Sequence, residues 1–284
     1  MATRTLDDRR QALYEIAEAI APTWARRRTE VEQASAPVRE WMLRELAPRE
    51  GDTVLELAAG VGDTGFEAAT RIGPTGRLIT TDLSPRMLEA ARRRGAERGV
   101  TNVEYRAMDA EHIELPEDSV DGVLCRFGLM LMPDPAAALA EAHRVLRPGG
   151  RLAVAVWGPP DRNPYFGAAA MSLVRRGHIP PPEPPPAPSP FALAGPGQLE
   201  TLLRGAGFAD VRVEEVAVRF SHPDVEECLR VVADTAGPIG LALQRLDAEQ
   251  RAAVKADVSD VLAQYAGDDG LEVPGLALAG RAGP

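Results

Sequence analysis

Three glycines in the stretch Glu56 to Gly65, "ELAAGVGDTG", stand at the spacing GxGxxG: Gly60, Gly62 and Gly65. A glycine-rich turn between a strand and a helix lets a ligand lie against the backbone, because Gly60 and Gly62 carry no Cβ to hold it off. Such a turn suits a pyrophosphate or an adenosyl group. The spacing alone does not separate the two, and a close helix–strand contact accounts for Gly65 by itself. Two carboxylates bear on the choice. Glu56, four residues before Gly60 at the end of the strand, repels a pyrophosphate but helps hold a ligand ammonium group, directly or through backbone and water. Asp82, in "TTDLSPRML", ends the next strand about where a carboxylate accepts both ribose hydroxyls. Both ligand classes use such a carboxylate, so Glu56 is the residue that discriminates.

These residues need an open α/β sheet beneath them, and the rest of the chain supplies its rhythm. Residues 7–48 read as helical, with interruptions near Pro22 and Pro37. "DTVLELAAG" is a short apolar run ending in glycine, as in a buried parallel strand followed by a tight turn. "GRLITTD" is a second strand, and "SPRMLEAARRRGAERG" a helix with Ser84 as N-cap, Pro85 at its first position and Gly99 at its end. "NVEYRA" and "VDGVLCRFG" are strands, "DPAAALAEAHRVL" is a helix capped by Asp134, and "RLAVAVWG" is a fifth strand. Strand and helix alternate, so the sheet is expected to be mostly parallel and doubly wound.

After Gly158 the pattern changes. A loop and helix precede the proline-rich "IPPPEPPPAPSP", which reads as a stiff surface connection or one side of a mobile lid over the substrate. A helix and strand follow in "GPGQLETLLRGAGFADVRVEEVAVRF", residues 223–265 are helical, and "GLEVPGLALAGRA" is a last strand. The expected division is a helical cap (1–48), a nucleotide-binding core (49–158), a substrate-cover insertion (159–198) and completion of the sheet with inserted helices (199–284).

The net charge of -10, with Lys and Arg scattered among Asp and Glu, argues against a nucleic-acid partner. Two distant cysteines, Cys125 and Cys228, make neither a disulfide framework nor a zinc site, and no metal is expected. No apolar run approaches the roughly 20 residues of a membrane span, and the N-terminus lacks the apolar core of a signal peptide. The expected compartment is the cytoplasm, without membrane insertion.

Taken together, "VLELAAGVGDTG", "TTDLSPRMLEAAR", "AMDAEHIELPEDSVDGVLCRFGLMLMPDPAAALAEAHRVLRPGGRLAVAVW" and "LLRGAGFADVRVE" resemble the class I S-adenosylmethionine-dependent methyltransferases. The similarity is greatest to the branch of ubiquinone and menaquinone C-methyltransferases and many natural-product methyltransferases. It covers about residues 38–220. The resemblance implies a Rossmann-like seven-stranded, mostly parallel sheet with an antiparallel last strand, N-terminal helices and a helical substrate cover.

It also implies S-adenosyl-L-methionine as cofactor and assigns residues to it. Glu56, Gly60 and Gly62 match the motif around the methionine part, with Ala58 where the family often has glycine, a departure expected to alter packing without loss of binding. Asp82, with Leu83 beside it, matches the ribose carboxylate. Met87 matches the apolar residue against adenine, or is simply helix core. Asp109 and Ala110 match the loop that reads the adenine edge. Arg126 and Phe127 match the end of the fourth strand, beside the transferred methyl.

Methyl transfer from a sulfonium is an in-line displacement that places the nucleophile about 3–3.5 Å from the methyl carbon. A general base is needed only for a nucleophile that is still protonated. Arg126, His178 and His222 are the catalytic candidates, the two histidines because they fall where the family builds its cover. His112 reads as a surface residue and His143 as one on a helix face. Trp24, Tyr165 and Phe166 either wall a planar substrate or pack helices onto the sheet. The expected activity is methylation of carbon or oxygen on a quinone-like, phenolic or polyketide-like metabolite, in a chain compatible with a homodimer. The alternatives are a family member that binds the cofactor without transferring the methyl, in a cyclase-like or sensing role, and an NAD-dependent oxidoreductase. "CRFG" after the fourth strand is unlike the motif of nucleobase amino-methylating enzymes, there is no carboxylate cluster for metal-dependent catechol methylation, and two cysteines are too few for arsenite methylation.

Overall fold

The structure, a computed structural model, describes residues 5–181 and 188–284. The chain opens on α1 (Leu6–Leu46), started by a capping box in which Thr5 and Asp8 each bond the other's backbone N–H. The interruptions expected at Pro22 and Pro37 do not occur: the N-terminal helices are one helix of 41 residues, about 60 Å long at 1.5 Å per residue. A proline inside a helix removes one donor and costs about 3 kcal/mol. At Pro22 the carbonyl left without its partner, that of Glu18, lies 3.4 Å from a guanidinium nitrogen of Arg86. The second half of the helix is anchored by buried Val38, Trp41, Met42, Leu43 and Leu46, and this burial offsets the cost.

The alternation that follows is β1 (Thr53–Glu56), α2 (Asp63–Ile72), β2 (Arg77–Asp82), α3 (Pro85–Glu97), β3 (Val103–Ala107), β4 (Val120–Arg126), α4 (Pro135–Val145) and β5 (Leu146–Trp157). The caps are those expected: Ser84 Oγ accepts from the Met87 N–H at 3.1 Å, and Asp134 from Ala137 at 3.0 Å. After β5 come α5 (Pro164–Arg175), α6 (Gln198–Gly205), β6 (Ala209–His222), α7 (Val225–Thr235), α8 (Pro238–Gln244) and α9 (Ala248–Leu262). β7 (Ala266–Gly267) and β8 (Gly270–Gly283) close the chain. Residues 182–187 of the proline-rich stretch lie outside the described residues, and so does the lid reading placed on them.

The strand order is β3-β2-β1-β4-β5-β8-β6, with β7 paired to β8. β1 to β5 are mutually parallel, and β8 runs antiparallel to both β5 and β6. The two-residue β7 is an addition to the seven expected strands. Because β1 has β2 on one side and β4 on the other, the order reverses beside β1, and ligands of such sheets bind at the carboxyl ends there. The central strands are buried on both faces, as Val54, Leu55, Val123, Leu124 and residues 152–156 show.

Two ties hold these elements in place. Buried Asn163 donates to the carbonyls of Gly158 and Leu276 and accepts from the Leu276 N–H, pinning the exit of β5 to β8. Asp257 of α9 accepts from Ser172 Oγ and pairs with Arg175, the last residue of α5, and with Arg176 after it.

Candidate active site

The turn after β1 needs left-handed backbone, and glycine supplies it: φ is 57° at Gly60 and 83° at Gly62. A Cβ on Gly62 would come within 2.7 Å of the Phe66 ring. Ala58, which stands where a glycine was expected from the resemblance, also has positive φ, 49°. Its methyl group faces Gly128, in the loop after β4, where an added Cβ would fall onto the Ala58 Cβ and 3.1 Å from Cys125 Sγ. The glycine missing at 58 is thus matched by one at 128. Gly128→Ala is expected to destabilise by about 1–2 kcal/mol through overpacking, and Ala58→Gly in the same chain to recover most of that loss. Urea unfolding of the four proteins of this cycle checks it; strictly additive effects would show that the two sites do not touch.

Glu56 is enclosed, 3% exposed, and both carboxylate oxygens are engaged inward. Oε1 accepts from the Gly65 N–H at 2.7 Å and Oε2 from Thr80 Oγ1 at 2.7 Å. A Cβ on Gly65 would lie 2.7 Å from the Glu56 carboxyl carbon, so the third glycine serves a close helix–strand approach. Burial pushes the Glu56 carboxyl up to about 7, although its hydrogen bonds and the charge of Arg126 oppose this. Of the two routes expected to an ammonium group, direct contact or backbone and water, this inward engagement of both oxygens fits the second. Glu56 acts through the backbone of the turn it braces.

Asp82 ends β2 at the carboxyl edge, 8% exposed. One oxygen accepts from the Gly60 N–H and the other from the Ser84 N–H, each at 2.9 Å. It thereby joins the turn after β1 to the start of α3. Burial raises its carboxyl above the usual range. Leu83 beside it is half-buried and Met87, on the first turn of α3, is buried. Asp109 Oδ1 accepts from the Glu111 N–H at 2.9 Å, and Ala110 between them is half-buried.

Helix α1 runs across this edge, and its contacts follow the strand order. Arg10 meets Glu111 at 2.5 Å and Asp109 at 3.5 Å, after β3. Glu18 accepts from Ser84 Oγ at 2.5 Å and lies 3.3 Å from Arg86, after β2. The Trp24 indole nitrogen stands 3.6 Å from where a Gly60 Cβ would be, after β1. Glu32 and Ser35 bind Arg126 at the end of β4, and Trp41 donates to Glu214 of β6 at 2.9 Å. None of these pairings is local in sequence.

The Arg126 guanidinium is thus engaged by α1, donating to Ser35 Oγ at 2.6 Å and to Glu32. Arg126→Ala is expected to lower stability by about 1–2 kcal/mol by cutting this tie, with S-adenosylhomocysteine affinity within about twofold. Chemical unfolding and calorimetry read the two effects separately, and a large loss of affinity at unchanged stability would contradict it. Phe127 has a φ of 59° and lies flat on Trp157 with centroids 3.9 Å apart. From Trp157 the rings continue to Phe166 (5.2 Å) and Phe220 (6.0 Å), and Tyr165 stacks on Phe220 at 3.9 Å. Tyr165 and Phe166 therefore share one aromatic row, which Trp24 does not join. Trp157 and Phe220 went unread in the sequence because each looks like an ordinary strand residue.

The histidines separate by place. His112 is exposed, and His143 packs edge-on against Phe208. His178 follows α5, half-buried, without a side-chain hydrogen bond among the described residues. His222 ends β6 at the far end of the aromatic row, its ring 5.5 Å from that of Tyr165. Among the described residues no group of His, Cys, Asp and Glu is placed to hold a metal ion, and no helix is long and apolar enough to cross a membrane.

A doubly wound sheet with this order, a glycine turn at its switch point and a carboxylate at the end of the second strand defines the class I methyltransferase fold. The sequence model of the ubiE/COQ5 methyltransferase family matches residues 36–168. An uncharacterized protein of Mycobacterium tuberculosis is 38% identical over 80 residues, 28% of this chain and 29% of that one. A ubiquinone/menaquinone biosynthesis C-methyltransferase of Marinomonas is 36% identical over 85 residues, 30% of this chain and 34% of the relative. The demethylmenaquinone methyltransferase of Thermus thermophilus is 36% identical over 88 residues, covering 31% and 40%. The matches span less than half the length of these relatives. Among solved structures, a SAM-dependent methyltransferase from Aquifex aeolicus superposes with a TM-score of 0.51 at 23% identity, over 68% of this chain and 92% of that one. The [4+2]-cyclase SpnF superposes with a TM-score of 0.57 at 19% identity, over 89% and 82%. These likenesses are of fold.

Proposed function

We propose that this protein transfers a methyl group from S-adenosyl-L-methionine to carbon or oxygen of a small aromatic, quinone-like or polyketide-like metabolite. The observation that carries this reading is the joining of the Gly60–Gly62 turn to Asp82 at the switch point, next to an aromatic row that begins at the end of β4. The residues fit the cofactor: the turn has no Cβ where a ligand would lie, and Asp82 puts a carboxylate at the edge for ribose hydroxyls. In this reading Gly60 and Gly62 admit the methionine part, Asp82 and Leu83 hold the ribose, and Met87, Asp109 and Ala110 border the adenine. Glu56 and Ala58 shape the turn.

When bound, the cofactor supplies an electrophilic methyl on a sulfonium. The protein's part is to orient the acceptor and keep water out. Phe127 and Trp157 present a flat apolar wall suited to a planar acceptor, and Arg126 is a positioning residue that holds α1 against β4. With its guanidinium engaged by Glu32 and Ser35, Arg126 is not the proton acceptor in this reading. His178 and His222 are the remaining candidates for that role.

A panel of phenols and quinols incubated with isotopically methyl-labelled S-adenosylmethionine tests the reading. One labelled methyl group in an acceptor, with matching S-adenosylhomocysteine, is expected. Binding of the cofactor with no transfer to any acceptor favours the second reading, a cyclase-like protein that keeps the cofactor unreacted, for which the fold similarity to SpnF is the motive.

A further inference from the structure

The aromatic row ends in two polar groups that the fold leaves without partners. His222 is 6% exposed, its Nε2 is enclosed with no hydrogen bond, and its ring lies within 10° of the plane of Tyr165. Tyr165 is 2% exposed, and its hydroxyl makes no hydrogen bond among the described residues. An enclosed polar atom without a partner is unfavourable and uncommon in folded proteins. Both side chains border a cavity of about 110 Å³ between α1, α5 and β6, which Glu30, Gln33 and Ser221 also line.

We propose that this cavity is the polar end of the acceptor site, seating one hydroxylated aromatic ring whose oxygen bonds the Tyr165 hydroxyl and the His222 imidazole. The proposal rests on the methyl-transfer reading. At about 110 Å³ the cavity is smaller than the roughly 150 Å³ that encloses benzene, so one ring seats with part of its edge in the opening beside exposed Arg219. The Tyr165–Phe220–Trp157 rings run from the cavity wall towards Phe127, and in this proposal the rest of the acceptor lies along that row.

The surrounding charges select a neutral oxygen. Glu30, Glu227 and Asp224 face His222, against one cation, Arg27, which is itself engaged by Glu30, Glu227 and Asp234. Arg219, also on the cavity wall, is mostly exposed and lies 3.5 Å from Glu272. A carboxylate or phenolate on the occupant would meet net repulsion, whereas a neutral O–H meets an acceptor. Burial lowers the basicity of His222, which keeps the imidazole uncharged and able to accept. No hydrogen bond holds the ring in its present orientation, and the proposal requires it to turn so that Nε2 meets the occupant.

Phenol and toluene, alike in shape, are the probes. They are titrated into the wild type, Tyr165→Phe and His222→Phe, replacements that keep the aromatic row and remove only polar atoms. The wild type is expected to bind phenol about tenfold more tightly than toluene, with His222 ring-nitrogen NMR signals that move for phenol alone; in each variant the preference falls to about twofold or less. Equal preference in all three proteins, or His222 signals that do not move with phenol, overturns the proposal. Titration of the same samples with S-adenosylhomocysteine separates the two levels. Retained binding of it alongside an absent phenol preference overturns the anchor alone, and its failure to bind the wild type overturns the methyl-transfer reading.

Discussion

Asp82→Ala is expected to weaken binding of S-adenosylhomocysteine by about 100-fold, near 3 kcal/mol. Two effects add. A charged acceptor of ribose hydroxyls contributes roughly 1–3 kcal/mol through charge-assisted hydrogen bonds. In this fold Asp82 also accepts from the N–H groups of Gly60 and Ser84, so its loss frees the glycine turn and the start of α3 together. Asp82→Asn, which keeps a single carbonyl oxygen, is expected to fall between the wild type and alanine. Calorimetric titration reads all three. Wild-type affinity in the alanine variant would remove Asp82 from the site.

Glu56→Gln is expected to change how stability depends on pH, by about 3 kcal/mol between pH 5 and 8. The folded protein holds the Glu56 carboxyl up to about 7, against 4.5 ordinarily, with burial as the leading cause. The folded state therefore binds the proton more tightly than the unfolded state. The stabilisation from that proton is fully present below pH 4.5 and is lost as the pH rises towards 7, at about 1.4 kcal/mol per pH unit. Glutamine can still accept from the Gly65 N–H and can donate to Thr80 Oγ1, and it has no charge to bury. Relative to the wild type, the variant should gain stability steadily from pH 5 to about 7 and then level off. Parallel unfolding free energies across that range would mean that Glu56 does not titrate with an altered affinity.

What the sequence made legible was local. Ser84 with Pro85, and Asp134 with Pro135, carry their caps in adjacent residues, and the glycines at 60 and 62 announce a turn of positive φ. The alternation of apolar runs and amphipathic stretches was enough for a doubly wound sheet. What failed depended on partners distant in sequence. The continuity of α1 through Pro22 and Pro37 follows from burial of its second half, which no local propensity reports. The engagement of Glu56 by Gly65 and Thr80, which braces the turn from inside, depends on residues 9 and 24 positions away. The partners of Arg126, Glu32 and Ser35, lie more than ninety positions earlier. The row from Phe127 to His222 draws on β4, β5, α5 and β6, and its rings meet only once the cover has folded onto the sheet.

Because both Glu56 oxygens are engaged inward, the choice of cofactor is the point on which the functional reading turns. The most direct measurement is side-by-side calorimetric titration of the purified protein with S-adenosylmethionine, S-adenosylhomocysteine and NAD. Saturable binding of the two adenosyl-sulfur compounds, with none of NAD, is the expected result. Binding of NAD alone would contradict it and make the turn from Gly60 to Gly65 a dinucleotide site.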